Sequence, residues 1–256
     1  MPLDFVGKSR ALGSDGFMAV TRSLKVKAAE VWAVLAVETS GCGFQSDRRP
    51  KILYERHVFH RLTRGGFDDG DISAPSAGGY GAGGAHQYDR LARAIELDRE
   101  AALKSASWGL GQVLGVNFRE AGFPDVETMV QEMCDSESSQ LAAVAAFLQS
   151  NNLDAALQAH DWTAFARGYN GPNYAQNHYD TQLRGEYQKY AFGALPDLDV
   201  RAAQVYLTFC GFDPGRIDGV LGSRTRAALV DFQTAKGLEP TGLVDDAVLE
   251  ALAALS

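Results

Sequence analysis

The stretch from residue 25 to residue 37 constrains the fold most, because apolar residues fall on every side of a helix of that length. They are Val26, Ala29, Val31, Trp32, Val34, Leu35 and Ala36. A surface helix carries a single apolar stripe, so this density predicts a helix that is buried on most sides. The chain therefore has to surround this helix with other packed elements.

Helical spacing returns in segments 87–105, 126–149 and 153–167, and Asp125 is the expected N-cap of the second. Segment 65–84 is rich in Gly, Asp, Ser and Pro, which is typical of a long loop beside a functional site. No run of alternating residues indicates a strand. The first two-thirds of the chain is expected to be mainly α.

A different pattern starts after Pro196. It predicts three short helices, at 200–209, 223–236 and 245–255, with Ser223 and Asp245 as N-caps. The Gly-containing loops 217–222 and 240–245 echo each other, each before a helix. The tail, at about 198–256, is therefore expected to be a small three-helix domain of its own.

Composition excludes several classes of protein. A net charge of -8 argues against nucleic acid as a partner, since phosphate binding requires clustered Lys and Arg. No apolar run approaches the roughly 20 residues of a membrane span, and the N-terminus lacks a signal peptide pattern, so synthesis in the cytoplasm is expected.

Cys42, Cys134 and Cys210 are far apart, which predicts reduced thiols. His57 and His60 lack a third ligand at a useful spacing, so neither metal nor cofactor is expected.

Glu38 ends the apolar run and is followed by Thr39, Ser40 and Gly41. A carboxyl group at the mouth of an apolar helix is poorly solvated as an anion, so its pKa is expected to rise. Such a group donates a proton near neutral pH, as the general acid of a glycosidase must. The other interpretation is an exposed glutamate at an ordinary helix end before a glycine.

Three motifs occur in a fixed order: Glu38-Thr39-Ser40-Gly41, Gly109-Leu110-Gly111-Gln112 and Tyr169-Asn170-Gly171. In that order they resemble the lysozyme-like superfamily of goose-type lysozymes and lytic transglycosylases. Segments 49–59 and 170–180 are similar to the N-acetylmuramidase family of phage endolysins and bacterial genomes. The resemblance implies a lysozyme-like helical catalytic domain at 1–192.

The tail resembles the small peptidoglycan-binding domain that is appended to many wall hydrolases. The matching residues include Arg201, Gln204, Gly219, Gln233 and Gly242. The resemblance implies a peptidoglycan-binding domain at 198–256. Candidate wall-binding residues are Asp218, Arg224 and Thr225.

The resemblance also implies catalytic roles. Glu38 matches the general acid of the family, which protonates the glycosidic oxygen. A second carboxylate is required in many glycosidases, and Glu55 is the first candidate. The alternative for Glu55 is a structural ion pair with Arg56 or Arg49. Acidic residues of the long loop, Asp68, Asp69 and Asp71, are further candidates, or simply a solvated acidic surface.

Sugar-binding roles follow from the same resemblance. Gln112 and the backbone around Ser107 are expected to hold sugar amides and hydroxyls. Tyr169 and Asn170 are expected to position the acetamido group or to steady the acid. Trp108 is either a platform for a sugar ring or a core residue beneath the loop.

The sequence thus predicts a monomeric peptidoglycan hydrolase that cleaves the β-1,4 bond between N-acetylmuramic acid and N-acetylglucosamine. It would lyse bacteria from the periplasm after release through a separate phage pore, without inserting into the membrane. Two alternatives stay open: a lytic transglycosylase that forms 1,6-anhydromuramic ends, and a wall-binding protein without catalytic activity.

Overall fold

The computed structural model describes residues 4–39, 41–67, 69–171 and 174–255, with the backbone alone at Glu38, Tyr174 and Gln176. The helices of the N-terminal body, residues 4–192, are α1 Ser14–Leu24, α2 Ala28–Glu38, α3 Arg56–Leu62, α4 Ala85–Leu97, α5 Arg99–Lys104, α6 Val126–Asp135, α7 Glu137–Ser150, α8 Leu153–Gln158, α9 Trp162–Asn170 and α10 Tyr179–Phe192. The C-terminal module, residues 198–255, contains α11 Leu198–Phe209, α12 Ser223–Ala235 and α13 Asp246–Ala254. The mainly α fold class is confirmed.

Helix α2 lies at the centre of the N-terminal body. Every residue from 29 to 35 is buried, and the Trp32 ring packs against Phe17 on α1 and Tyr190 on α10, with centroids 5.2 and 6.4 Å apart. The predicted buried helix is therefore confirmed. Because its apolar residues point in all directions, α2 is enclosed by its neighbours along residues 29–35, and exposure begins at Ala36 near its C-terminal end.

Three predicted helices are each divided in two. Asp98 ends α4 and caps α5 through a 2.9 Å bond from the Ala101 amide, and Ser136 separates α6 from α7 by accepting from Ser139. Residues 159–161 separate α8 from α9. Short polar side chains favour caps over helix interiors, so these breaks were visible in the sequence. The expected cap Asp125 is confirmed by its 2.7 Å bond from the Thr128 amide.

A small antiparallel sheet, which the sequence analysis missed, lies beside the helices. Its strands are β1 Ile52–Tyr54, β2 Ala106–Trp108 and β3 Val113–Leu114, in the order β1-β2-β3. All three residues of β2 are buried, so no alternation marks the strand. The sheet carries the loop between β2 and β3 toward the C-terminal end of α2.

The C-terminal module has its own core and two matching loops. The Gln204 side chain accepts a bond from the Gly219 amide, and the Gln233 side chain accepts one from the Gly242 amide, both at 2.9 Å. Asp245 caps α13 as expected, with 2.8 Å from its side chain to the Val248 amide. The prediction that Ser223 is the N-cap of α12 is wrong. Ser223 is the first helical residue of α12, and no side-chain hydrogen bond caps that helix.

The module packs directly on the N-terminal body. Ala11, Cys42 and Phe44 form one apolar cluster with Val205 of α11. The Ala11 amide also donates to the Tyr206 hydroxyl at 3.1 Å. The two parts of the chain therefore share a packed junction.

Candidate active site

The candidate site is built at the C-terminal end of α2. Glu38 is the last residue of the helix, and Thr39 leaves it in an extended conformation. Gly41 then turns the chain with a φ of +83°. The backbone of Glu38 thus lies at the C-terminal end of an apolar helix. The raised pKa of the Glu38 carboxyl group stays a prediction.

A cleft of about 410 Å³ opens beside the segment that follows Glu38. Its lining combines that segment, β1, the glycine-rich loop at residues 78–84 and the β2–β3 loop. The lining residues are Cys42, Gln45, Lys51, Ile52, Leu53, Gly83, Gly84, Gly109, Leu110 and Gln112. Among these residues, Gln45, Lys51 and Gln112 carry polar side chains, and the glycines expose backbone groups. Groups of this kind hydrogen-bond the hydroxyls and acetamido groups of a glycan.

The β2–β3 loop is held in shape by Gln112 and by a buried glutamine beneath it. The Gln112 side chain donates to the Gly109 and Lys51 carbonyls at 2.8 and 3.2 Å. Below the loop, Gln140 accepts from the Leu110 amide at 2.7 Å. A Cβ on Gly109 would lie 2.6 Å from the Gln140 side chain, so the loop requires glycine there. Gln140 sits within a helix and gave no signal in the sequence.

Tyr169 supports the same loop from α9. Its hydroxyl donates to the Gly111 carbonyl at 2.8 Å, and its ring stacks on Phe165 with centroids 5.8 Å apart. Asn170 is the last residue of the same helix. The structure therefore brings the second and third sequence motifs together, with Tyr169 as a support for the loop. Residues 172 and 173, which belong to the segment 170–180, lie outside the described residues.

Two residues proposed to bind sugar are buried instead. Trp108 is 0% exposed, and its indole donates to the Leu103 carbonyl at 3.1 Å. Its ring also packs against Phe5. Ser107 is buried in the middle of β2. The side chain of Trp108 therefore faces the core, which corrects its platform interpretation, whereas the role of the backbone around Ser107 stays a prediction.

Glu55 precedes α3 and is mostly shielded. Its Oε2 atom lies 3.1 Å from His57 Nδ1, without the alignment of a hydrogen bond. Burial, followed by the charge and hydrogen bond of Glu55, raises the pKa of the Tyr80 hydroxyl. The expected arginine partners are engaged elsewhere, Arg49 with a different carboxylate and Arg56 with a backbone carbonyl. Glu55 thus contacts His57 of α3 and Tyr80 of the glycine-rich loop.

The acidic residues of the long loop are tied to arginines. Arg93 pairs with both Asp69 and Asp71, and Arg90 lies 3.3 Å from Asp71. Hydrogen bonds, first from the Asp71 amide, lower the pKa of Asp69 despite its slight desolvation. These two carboxylates therefore stabilise the loop. Asp68 lies outside the described residues.

The three candidate wall-binding residues have different surroundings. Thr225 is buried and donates to the Pro214 carbonyl at 3.0 Å, so it stabilises the module. Asp218 accepts from the Val220 amide at 3.0 Å and lines a cavity at the junction. Arg224 is exposed and pairs with Asp213. Arg224 is thus the most accessible of the three side chains.

The junction contains a buried ion pair that the sequence analysis missed. Glu137 of α7 and Arg201 of α11 are joined by bonds of 2.6 and 2.9 Å. Burial by itself would raise the pKa of Glu137, but the charge and hydrogen bonds of Arg201 lower it below its usual value. The pairing is invisible in the sequence because 64 residues separate its partners.

Cysteine and metal chemistry do not fit the described residues. Burial, followed by the charge of Glu137, raises the pKa of the Cys42 thiol to about 12, so it is not a nucleophile at neutral pH. The prediction of free thiols is confirmed. The described residues contain no group of His, Cys, Asp and Glu side chains that would hold a metal ion. Within the same residues, no helix has the length and apolar character to cross a membrane.

Comparison with known proteins matches both parts of the chain to families. Residues 27–191 match the N-acetylmuramidase family, and residues 196–252 match a family described as a peptidoglycan binding domain. Among solved structures, the crystal structure of the Burkholderia AP3 phage endolysin is similar at 38% identity, with a TM-score of 0.67 and 71% of each chain covered. No curated protein matches the chain.

These similarities define the class of protein, a glycoside hydrolase that acts on peptidoglycan. Because the family match spans more than half of its residues, the chain belongs to the N-acetylmuramidase family. It also carries a C-terminal peptidoglycan binding domain.

Proposed function

We propose that the protein hydrolyses the β-1,4 bond between N-acetylmuramic acid and N-acetylglucosamine, with Glu38 as the general acid. The observation that carries the proposal is the position of Glu38, which is the last residue of the buried helix α2 and lies four positions before Cys42, a residue that lines the 410 Å³ cleft. We divide the chain into a catalytic domain at 1–192 and a wall-binding domain at 198–256. The two family matches support that division.

In this mechanism the Glu38 carboxyl donates its proton to the glycosidic oxygen as the bond to C1 of N-acetylmuramic acid breaks. Positive charge develops on C1 and the ring oxygen, and water attacks C1. The attacking water loses a proton to a base, and the product is a free reducing end. An apolar helix end suits the acid because poor solvation of the anion keeps the carboxyl protonated near neutral pH.

The cleft supplies the groups that would orient the sugar. The Gln112 amide nitrogen is used to hold its own loop, which leaves its carbonyl oxygen and nearby backbone groups to meet acetamido and hydroxyl groups. Tyr169 would keep this surface in place through Gly111. Asn170, at the end of the same helix, is the remaining candidate for a contact with the acetamido group.

Glu55 is our candidate for the group that receives the proton of water. It is shielded and lies beside Tyr80 of the glycine-rich loop, whose neighbours Gly83 and Gly84 line the cleft. Inverting enzymes separate their two carboxyl groups by about 6.5–9.5 Å to admit water. If a Glu55→Gln variant keeps the activity of the parent, Glu55 is not the base and Glu38 is the only carboxylate of the two that takes part in catalysis.

The test uses purified Gram-negative sacculi, with turbidity loss and mass spectrometry of the soluble fragments. We expect the parent protein to release reducing muramic ends, Glu38→Gln to be inactive, and the control Glu96→Gln, at an exposed glutamate of α4, to match the parent. Anhydro ends would identify a lytic transglycosylase. Lysis that survives in Glu38→Gln would place the chemistry on another residue, and absence of lysis by the parent would indicate a wall-binding protein.

We further propose that the protein acts as a monomeric endolysin on the cell wall after release into the periplasm through a phage pore. Its similarity to a phage endolysin and its peptidoglycan binding domain support this role. Expression in a bacterial host with and without a co-expressed pore protein tests it. Lysis that needs the pore is expected, whereas lysis without it would show another route of export.

A further inference from the structure

The segment that follows Glu38 is held by the wall-binding module as well as by the catalytic domain. Arg201 of α11 reaches out of the module, and its Nη2 atom donates to the Gly41 carbonyl at 2.8 Å. Gly41 is only three positions beyond Glu38. A hydrogen bond thus runs from the module to the segment that directly follows the helix of the proposed acid.

Glu137 holds the same segment from the other side. Its Oε1 atom accepts from the Gly43 amide at 2.8 Å, and its Oε2 atom accepts from the Leu12 amide at 2.9 Å. Both carboxylate oxygens also accept from Arg201. Together, Arg201 and Glu137 therefore fix the backbone on both sides of Cys42.

Packing alone does not hold this segment, because cavities border it. Thr39 and Gly41 line a cavity of about 550 Å³ at the junction, and Cys42 lines the 410 Å³ cleft. The polar contacts of Arg201 and Glu137 therefore add to the apolar packing of Cys42 in holding the backbone. The module does approach closely at one point, since a Cβ on Gly41 would lie 2.9 Å from the Ile217 carbonyl oxygen.

We propose that Arg201 is a positioning residue for catalysis, so that the wall-binding module completes the active site in addition to attaching the enzyme to the wall. Its guanidinium holds the 41–43 segment and thereby sets the orientation of the end of α2. The inference rests on the proposed role of Glu38. Arg201 does not touch the substrate.

The decisive measurement uses a soluble substrate, for which attachment to the wall is irrelevant. Full-length Arg201→Met and Arg201→Lys are compared with Arg226→Met, a matched change at an exposed arginine of α12. The readouts are kcat and KM on soluble, uncrosslinked peptidoglycan oligosaccharides, together with pelleting on sacculi. A module that only attaches the enzyme predicts unchanged kcat in all three variants.

We expect Arg201→Met to lower kcat at least tenfold, with KM and pelleting near those of the parent. Arg201→Lys should recover part of the loss, since lysine keeps the charge but cannot form the two-pronged contact. Arg226→Met should equal the parent. Parent-like kcat in Arg201→Met, or a loss confined to pelleting, would overturn the inference.

A second variant separates positioning from folding. Glu137→Gln with Arg201→Met removes both charges, so it leaves no buried charge without a partner. The rate of alkylation of Cys42 reports whether the module is docked, because Cys42 packs against Val205 of the module. We expect the double variant to keep Cys42 protected and kcat low, whereas kcat that recovers along with protection would show a structural role only.

Failure of the inference is distinguishable from failure of the proposed function. If Glu38→Gln remains active on the same oligosaccharides, the proposed function fails and Arg201 has no acid to position. If Glu38→Gln is inactive and Arg201→Met keeps the parent kcat, the inference alone is wrong.

Discussion

Glu137 and Arg201 form an ion pair across the junction of the two domains, with 2.6 Å between Oε2 and Nη1 and side-chain exposures of 0% and 2%. Among the described residues, the guanidinium donates to the Glu137 carboxylate and to the Gly41 carbonyl, both within the junction. Neither charge reaches water, so each depends on the other for compensation. The binding domain is therefore part of the folded unit that contains the cleft.

Breaking this pair from one side should destabilise the protein strongly. We expect Arg201→Met to lower the free energy of unfolding by about 3–5 kcal/mol, because it leaves the Glu137 carboxylate buried without its partner. Urea unfolding at neutral pH measures the change. Arg226→Met should lie within about 0.5 kcal/mol of the parent, as surface substitutions do. An equal effect of the two substitutions would contradict a buried, compensated pair.

Stability should also fall in acid because of Glu137. Its pKa in the folded protein lies below the unfolded value of 4.5, so the unfolded state binds the proton more tightly. The stabilisation is complete above the unfolded pKa and is lost as the pH falls through the lower folded pKa. Urea unfolding from neutral pH to about pH 3 should show this loss in the parent and a shallower one in Glu137→Gln. Parallel curves would assign the acid sensitivity to other carboxylates.

Two glycines with left-handed backbone conformations provide a matched comparison. Gly109 and Gly122 have φ angles of +68° and +90°, so alanine strains both. Only at Gly109 would the new Cβ meet a buried side chain, 2.6 Å from Gln140, whereas at Gly122 the nearest atom is 3.6 Å away. We expect Gly109→Ala to be the more destabilising and to reduce kcat on soluble glycan. Equal losses would mean that backbone strain alone is responsible.

Removing the Tyr169 hydroxyl should disturb the cleft more than the fold. Tyr169→Phe loses the 2.8 Å bond to the Gly111 carbonyl, which costs about 0.5–1.5 kcal/mol of stability. Tyr54→Phe is the control, because it loses a similar 3.0 Å bond to the Ile72 carbonyl within the core. We expect comparable changes in unfolding midpoint and a kcat reduction confined to Tyr169→Phe. If kcat stays at the parent value, the support of the β2–β3 loop does not depend on this hydroxyl.

The three thiols should differ in reactivity. Burial raises the pKa of both Cys42 and Cys134 to about 12, so at pH 8 each stays a protonated, inaccessible thiol. Cys210 is only partly buried. Iodoacetamide labelling followed by peptide mass mapping should modify Cys210 first and the other two only on unfolding. Early labelling of Cys42 would show that the module separates readily from the N-terminal body.

Local sequence patterns predicted much of the fold. The density of apolar residues around Trp32 predicted a buried helix, and the cap Asp125 marked the start of another, because both signals depend on neighbours in the chain. The family resemblance implied that Gln112 and Tyr169 both serve the sugar site, and a hydrogen bond from Tyr169 to Gly111 joins their segments. The strands were missed because they have only two or three residues, with no alternating pattern.

What the sequence by itself determined is the helical class, the order of the motifs and the family to which the chain belongs. What only the tertiary structure decided is which side chains face the cleft and which face the core. The side chains of Trp108 and Ser107, which precede the motif at 109–112, are buried. Gln140 and Glu137 gave no signal in the sequence, and Arg201 stood out only as a match to the binding domain, yet these three residues hold the loops of the site. Contacts between residues far apart in the chain form only when the domains pack, so no local pattern records them.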